Sequence, residues 1–317
     1  MSDNIIEVKP QWQNRAYVTA PDYTKLYEWS MRDPEGFWAE QAQRLEWRKR
    51  WTKVKNTSFA YPVSIRWFEG GALNVCENCV DRHARQNPER IAILWEPEEP
   101  NQPTLKISYG ELLTRVSRFA NGLKSLGIKK GDRVTIYLPM IPEAAVAMLA
   151  CARLGAVHSV VFGGFAPDSL AGRMNDGQSQ VLITADEGWR GGKAVPLKQN
   201  ADAAAAKVPT FKHMIVVQHT KAKVTMQKGR DHWWHELVAK ASDQCPPETM
   251  DAEDPLFLLY TSGPTNKPKG VLHTTGGYLV YASLTHQLVF DYQPGEIYWC
   301  AADVGWVTGH TYQIYGP

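Results

Sequence analysis

Leu256-Phe-Leu-Leu-Tyr-Thr-Ser-Gly-Pro-Thr-Asn-Lys-Pro-Lys-Gly270 is the stretch that decides how this chain is read. Leu256 to Leu259 is a short apolar run of the kind that forms a buried strand. Hydroxyls (Thr261, Ser262, Thr265), glycines (Gly263, Gly270) and ammonium groups (Lys267, Lys269) follow within one loop's length. Together these groups suit a polyphosphate. Glycine lets the backbone approach closely, N–H groups and hydroxyls donate to phosphate oxygens, and lysine supplies charge. A Walker A loop is excluded, because no Ser or Thr follows a Gly-Lys pair. The bland alternative is a polar surface turn, and residue content alone would favour it. The order of residues and the rest of the chain favour a phosphate loop.

Outward from this loop, strands and helices alternate. Ile91–Trp95, Arg133–Leu138, His158–Phe162, Gln180–Thr184 and His213–Val217 read as strands. Tyr109–Leu126, Pro142–Leu154, Pro167–Asn175 and a segment near Pro196–Ala206 read as helices. Gly127 ends the first helix. Apolar strands alternating with helices predict a mostly parallel sheet buried on both faces, an α/β architecture. Asp33-Pro34 starts a helix expected to run through Phe37–Trp47, and a further helical segment is expected around Val80–Arg85. Lys221–Arg230 reads as a loop. Residues 1–60 form an N-terminal helical region and 61–317 the larger unit.

The 317 residues carry a formal charge of +2, so bulk charge gives no reason to expect nucleic-acid binding. With 44% hydrophobic and 21% charged residues, the composition is that of a globular protein. Residues 144–165 are apolar, but Arg153 and His158 interrupt them and Gly155 divides them, so no membrane span is expected. The five cysteines form no dense framework and Met-Ser-Asp-Asn is no signal peptide, so a reducing, cytoplasmic setting is expected.

The loop resembles the phosphate loop of the adenylate-forming enzymes, with Pro264 where Ser or Thr is usual and Asn266 where Gly is usual. Around it, Trp67-Phe-Glu-Gly-Gly71, Asn78-Cys-Val-Asp-Arg-His83 and Leu138-Pro-Met-Ile-Pro142 resemble AMP-forming acetyl-CoA synthetases. So do Gly155-Ala-Val-His-Ser-Val-Val-Phe-Gly-Gly-Phe165, Thr184-Ala-Asp-Glu187, Arg190-Gly-Gly-Lys193 and Tyr298-Trp-Cys-Ala-Ala-Asp-Val-Gly-Trp-Val-Thr-Gly-His310. The resemblance implies the large-domain fold of that superfamily, incomplete at its C-terminal end. It implies ATP-dependent ligation of acetate to coenzyme A through acetyl-AMP, with Mg2+ expected. By position, Thr261, Ser262, Gly263, Thr265, Lys267, Lys269 and Gly270 would hold ATP phosphates. Gly164, Arg190, Gly191, Gly192, Lys193 and Thr308 would contact coenzyme A. Trp306, Val307 and Thr308 would line the acetate pocket. Some relatives have Arg where this chain has Lys193, which keeps the charge and loses the bidentate fork.

Bland readings compete at several positions. Taken singly, Arg190 and Lys193 read as solvated charges; the surrounding match puts coenzyme A contact ahead. Cys76-x-x-Cys79 with His83 is half of a zinc pattern without a second pair, so structural thiols are expected. His232-Trp-Trp-His235 reads as a packed aromatic helix start. His310 reads either as catalytic or as a histidine that orients loop backbone.

The chain stops at Pro317, soon after the last matching segment. The lysine that the family uses in adenylation would lie beyond it, so no catalytic residue is assigned. Pro264 removes an N–H donor, and a hydrogen bond to a charged group is worth about 1.5–3 kcal/mol. The expectation is a chain that is inactive alone. A non-catalytic remnant that binds nucleotide, coenzyme A or a protein is the alternative, and propionyl-CoA synthetase is the alternative within the enzyme class.

Overall fold

The protein is described here by a computed structural model covering residues 7–98, 102–262 and 267–317. A seven-stranded sheet organises it. Its strands are β1 (Arg133–Tyr137), β2 (Val157–Val160), β3 (Val181–Ala185), β4 (His213–Val217), β5 (Asp231–Trp233), β6 (Pro255–Thr261) and β7 (Lys269–Thr274). The order across the sheet is β5-β4-β3-β1-β2-β6-β7. All neighbours run parallel except β6 and β7, which are antiparallel. Every residue of β2 and β3 is buried, as expected of strands covered on both faces.

Helices α1 (Tyr109–Ser125), α2 (Pro142–Leu154), α3 (Pro167–Asp176) and α4 (Leu197–Ala205) pack in two pairs, α1 with α2 and α3 with α4. α2 connects β1 to β2 in one direction, and α3 returns the chain across β1 to β3. Right-handed crossovers then set α2 and α3 on opposite faces. α1 starts on a capping box. Ser108 Oγ accepts the Glu111 N–H, and Glu111 accepts the Ser108 N–H. α2 starts on Pro142 and ends at Gly155, which has φ +68°. A Cβ at Gly155 would also lie 2.4 Å from the Met250 sulfur, so backbone and packing both demand glycine.

The structure departs from the sequence reading at four places. Ile91–Trp95 is a strand, but it pairs antiparallel with Leu105–Ser108 outside the main sheet. The link between these strands is shorter than the dozen or so residues a parallel crossover needs. For the same reason β6 turns back into β7 instead of continuing the parallel order. His232 and Trp233, read as part of a helix start, belong to the edge strand β5, and the helix begins at Trp234. The helix expected over Phe37–Trp47 ends at Gln41 and tightens to a 3₁₀ turn at Ala42–Arg44.

Residue 60 falls at the tip of a hairpin whose strands, Lys53–Ser58 and Ser64–Glu69, pair antiparallel. Ala42, Leu45 and Val54 share one hydrophobic core with the sheet and its helices. Among the described residues, no helix is long and apolar enough to cross a membrane.

Candidate functional site

β1 and β3 flank a topological switch point of the sheet. The chain leaves β1 toward β2 on one side, and β3 lies against β1 on the other. In open α/β sheets, ligands bind outside the carboxyl ends of strands at such a point. Here the carboxyl end of β3 feeds a small antiparallel hairpin, Gly188–Arg190 with Lys193–Val195, in which Lys193 stands opposite Arg190. A Cβ at Gly188 would sit 3.0 Å from Pro139, in the loop that follows β1, so hairpin and loop are in contact.

Asp186 fixes the base of this hairpin. The residue is 1% exposed. Its Oδ1 accepts the backbone N–H groups of Glu187 (2.8 Å), His219 (2.8 Å) and Thr220 (3.1 Å), and its Oδ2 accepts that of Ala222 (3.1 Å). One carboxylate thereby ties the segment after β3 to the segment after β4.

Gly191 and Gly192 form the two-residue turn, with φ +56° and +73°. A Cβ on either would meet nothing within 4 Å, so backbone conformation, and no lack of space, calls for glycine. The Gly191 N–H donates to Glu98 Oε1 at 2.7 Å. Arg190 turns its guanidinium over the Phe162 ring, 4.3 Å from its centroid. Gly164 makes room for this stack: a Cβ there would lie 2.4 Å from Phe162 and 2.6 Å from Arg190 Nη1. The neighbours that require glycine at 164 are therefore these side chains, where the sequence reading assigned the space to a ligand.

Phe162 also meets Trp306, with ring centroids 4.9 Å apart and the rings tilted by 56°. Asp303 accepts the Gly305 N–H at 2.7 Å and so shapes the turn that presents Trp306. Burial raises the Asp303 carboxyl above its ordinary value, opposed by that N–H and by the positive charge of Arg190. Val307 and Thr308 open a single helical turn, Val307–Gly309, and both are exposed. The structure thus brings Gly164, Arg190 and Trp306 together around Phe162.

The phosphate-loop residues lie at the carboxyl end of β6. Thr261 pairs with Lys269 and Tyr260 with Gly270 across the β6–β7 ladder. Thr261, Ser262, Lys267, Lys269 and Gly270 are all exposed. Gly263, Pro264, Thr265 and Asn266 lie outside the described residues. A Cβ at Gly270 would lie 3.0 Å from Leu258, which gives this glycine a packing reason of its own. Tyr260 Oη donates to Asp176 Oδ2 at 2.7 Å. The Arg173 guanidinium lies 4.7 Å from the Phe165 ring centroid and 5.6 Å from that of Tyr260. It is a partly buried cation between the loop bearing Gly164 and the strand leading into the phosphate loop. Among the described residues it makes no ion pair.

Phe162, Asp303 and Arg173 were not singled out in the sequence. Phe162 closes an apolar strand-like run and reads as core. The Gly163-Gly164 pair after it was the available signal of crowding. Asp303 is the one carboxylate in Tyr298–His310, which was a usable clue.

His310 is fully buried. Its Nδ1 lies 3.1 Å from the Trp306 carbonyl oxygen, so it orients the backbone of this turn. Burial pushes its pKa down to about 4, which leaves it neutral near pH 7. His158 stacks beside it at 5.5 Å, and its Nε2 is 2.5 Å from Tyr315 Oη. Cys76 and Cys79 face different partners, the Arg153 guanidinium at 3.4 Å and the Tyr315 carbonyl at 3.6 Å. Burial pushes both thiols up to about 12. His83 packs against Tyr109 with the rings tilted, and His232 pairs with His213 at 3.1 Å.

Two family models cover nearly all of the chain: "AMP-binding enzyme" over residues 80–317 and "Acetyl-coenzyme A synthetase N-terminus" over residues 23–79. The acetyl-coenzyme A synthetase of Parvibaculum lavamentivorans is 61% identical over 318 residues, covering 100% of this chain and 49% of that protein. Those of Desulfatibacillum aliphaticivorans and Bdellovibrio bacteriovorus are 59% and 58% identical, again over 100% of this chain and 49% of theirs. The chain spans about half the length of the curated relatives it matches.

Proposed function

The chain belongs to the AMP-binding enzyme family, and on that premise we propose that it serves the ATP-dependent ligation of acetate to coenzyme A. In that reaction the acetate carboxylate attacks the α-phosphorus of ATP and pyrophosphate leaves with the broken bond's electrons. The thiol of coenzyme A then displaces AMP from acetyl-AMP. In this reading residues 261–270 hold ATP phosphates, with Thr261, Ser262, Lys267 and Lys269 as donors around Gly263, Thr265 and Gly270. The Arg190–Lys193 turn holds coenzyme A phosphates. Trp306, Val307 and Thr308 face the acyl group.

The observation that carries the proposal is the cluster of Arg190, Phe162 and Trp306 beside Gly164, at the carboxyl end of the sheet's switch point. Phe162 touches both a cation suited to phosphate and an aromatic wall suited to a small acyl group. Mg2+ is expected to enter on the phosphates of ATP, where it would offset their charge. The described part of the loop offers hydroxyls and ammonium groups and no carboxylate, which fits an ion held chiefly by phosphate and water. All five cysteines are free thiols, which accords with a cytoplasmic setting.

A second reading has its own observation. Val307 is 45% exposed and Trp306 48% exposed, so the described residues form an open wall and do not enclose a two-carbon acid. That favours a chain that binds coenzyme A and nucleotide without ligating them, and the same open wall would admit propionate. Calorimetric titration of the chain with coenzyme A and with ATP tests the binding, and acetate-dependent ATP–pyrophosphate exchange tests turnover. Binding of both ligands is expected. No binding of either would refute the proposed sites, and robust exchange would overturn the binding-only reading.

A further inference from the structure

The Gly191-Gly192 turn already holds an anion, and it comes from the chain itself. Both glycines have positive φ, Arg190 and Lys193 stand opposite each other across the turn, and the Gly191 N–H is turned to an acceptor, which together make a seat for negative charge. Glu98 Oε1 accepts the Gly191 N–H at 2.7 Å across 93 positions of sequence. Glu98 is held near the seat by the strand before it. Trp95 Nε1 donates to the Met140 carbonyl at 2.9 Å, in the loop after β1, and the Trp95 ring lies 6.4 Å from that of His219.

We propose that Glu98 is a tethered competitor for the phosphate seat at Gly191. It sets the affinity for coenzyme A and keeps free carboxylates out. The inference rests on the assignment of this turn to coenzyme A phosphates made above.

One N–H cannot serve two anions at full strength, and a phosphate oxygen at this seat would stand in contact with the Glu98 carboxylate. The ligand must therefore displace the side chain. Glu98 is exposed and free to swing away, so the penalty is of surface size, about two- to fivefold in affinity. Displacement favours dense anions: a phosphate dianion recruits Arg190 and Lys193 more strongly than a single carboxylate does. A free carboxylate such as acetate must instead compete with one of its own kind, tethered at a local concentration in the millimolar range. In a protein whose proposed substrates are a carboxylate and a phosphorylated coenzyme, that tether keeps the first from occupying the place of the second.

The test compares wild type, Glu98→Gln, Glu98→Ala and, as a control for net charge, Asp243→Asn, an exposed carboxylate outside the hairpin. Calorimetry gives the coenzyme A affinity. The Gly191 and Gly192 amide resonances of the ¹⁵N-labelled chain report titrations with inorganic pyrophosphate and with acetate. Both Glu98 variants should bind coenzyme A and pyrophosphate about two- to fivefold more tightly than wild type, with the thermal midpoint unchanged and Asp243→Asn like wild type. Acetate should shift the Gly191 amide in Glu98→Ala and much less in wild type. Equal pyrophosphate affinity in all four proteins, or equal acetate shifts, would overturn the inference. If coenzyme A moves neither amide in any variant, the assignment of this turn to the coenzyme falls, and the pyrophosphate and acetate titrations still decide the role of Glu98.

Discussion

Replacing Asp186 with asparagine should cost the fold about as much as losing a core side chain. The carboxylate accepts four backbone N–H groups at 2.8–3.1 Å from a site that is 1% exposed. Asparagine keeps one oxygen, which can stay with the Glu187, His219 and Thr220 donors. Its amide then confronts the Ala222 N–H with a second donor. Leaving that N–H buried and unpaired costs about 1–3 kcal/mol. The three remaining bonds lose their charge assistance, which roughly halves each and removes about 0.5–1 kcal/mol apiece. The sum is about 2.5–6 kcal/mol, a large share of the roughly 5–15 kcal/mol that stabilises an ordinary domain. Urea denaturation followed by far-ultraviolet circular dichroism, at constant m, measures the change directly. Because Asp186 anchors the base of the Arg190–Lys193 hairpin, coenzyme A affinity should fall in the same variant. A loss below about 1 kcal/mol would refute the account of Asp186 as the pin between the segments after β3 and β4.

Three further outcomes follow from buried groups and backbone conformation. Asp81→Asn leaves the Arg153 guanidinium, paired at 2.8 Å and 4% exposed, without its counter-charge, so a loss of about 3–5 kcal/mol is expected in the same denaturation assay; a neutral result would mean that water reaches Arg153. Gly155→Ala combines strain at φ +68° with a clash against Met250, and should lower stability by about 2–4 kcal/mol, whereas an unchanged midpoint would show that the turn relaxes freely. His310 titrates near 4 when folded and near 6.5 when unfolded, so the unfolded chain binds the proton first as pH falls. Its contribution is therefore complete above about pH 6.5 and lost toward pH 4, at up to about 1.4 kcal/mol per pH unit, with buried His158 acting in the same direction. Denaturant midpoints at pH 7.5, 6 and 5 should decline in that order, and a flat series would contradict the burial of these imidazoles as neutral groups.

Much of this fold could be read from local signals. Pro142 and Gly155 bracket α2, the Ser108–Glu111 box opens α1, and the apolar runs at 133–137, 157–160, 181–185 and 213–217 are the buried strands. These are properties of a few adjacent residues, and local physics decides them. Sheet order is different, because it depends on which strand finds which neighbour after the helices have formed. Connection length was the overlooked clue: the short links after Trp95 and Thr261 permit only antiparallel return. The candidate site divides the same way. Arg190, Gly191, Gly192 and Lys193 were legible as a cation-flanked turn. The Phe162 cluster, the four bonds to Asp186 and the Glu98 contact join segments distant in sequence, and no pattern within any one of them announces the pairing.

The central claim is that the Arg190–Lys193 turn at the switch point is a coenzyme A site. Calorimetric titration of coenzyme A into the wild-type chain and into Arg190→Ala/Lys193→Ala tests it most directly. Each charge-assisted contact is worth about 1.5–3 kcal/mol, so the double variant should lose at least about a hundredfold in affinity while ATP binding is preserved. Equal coenzyme A affinity in the two proteins would contradict the claim.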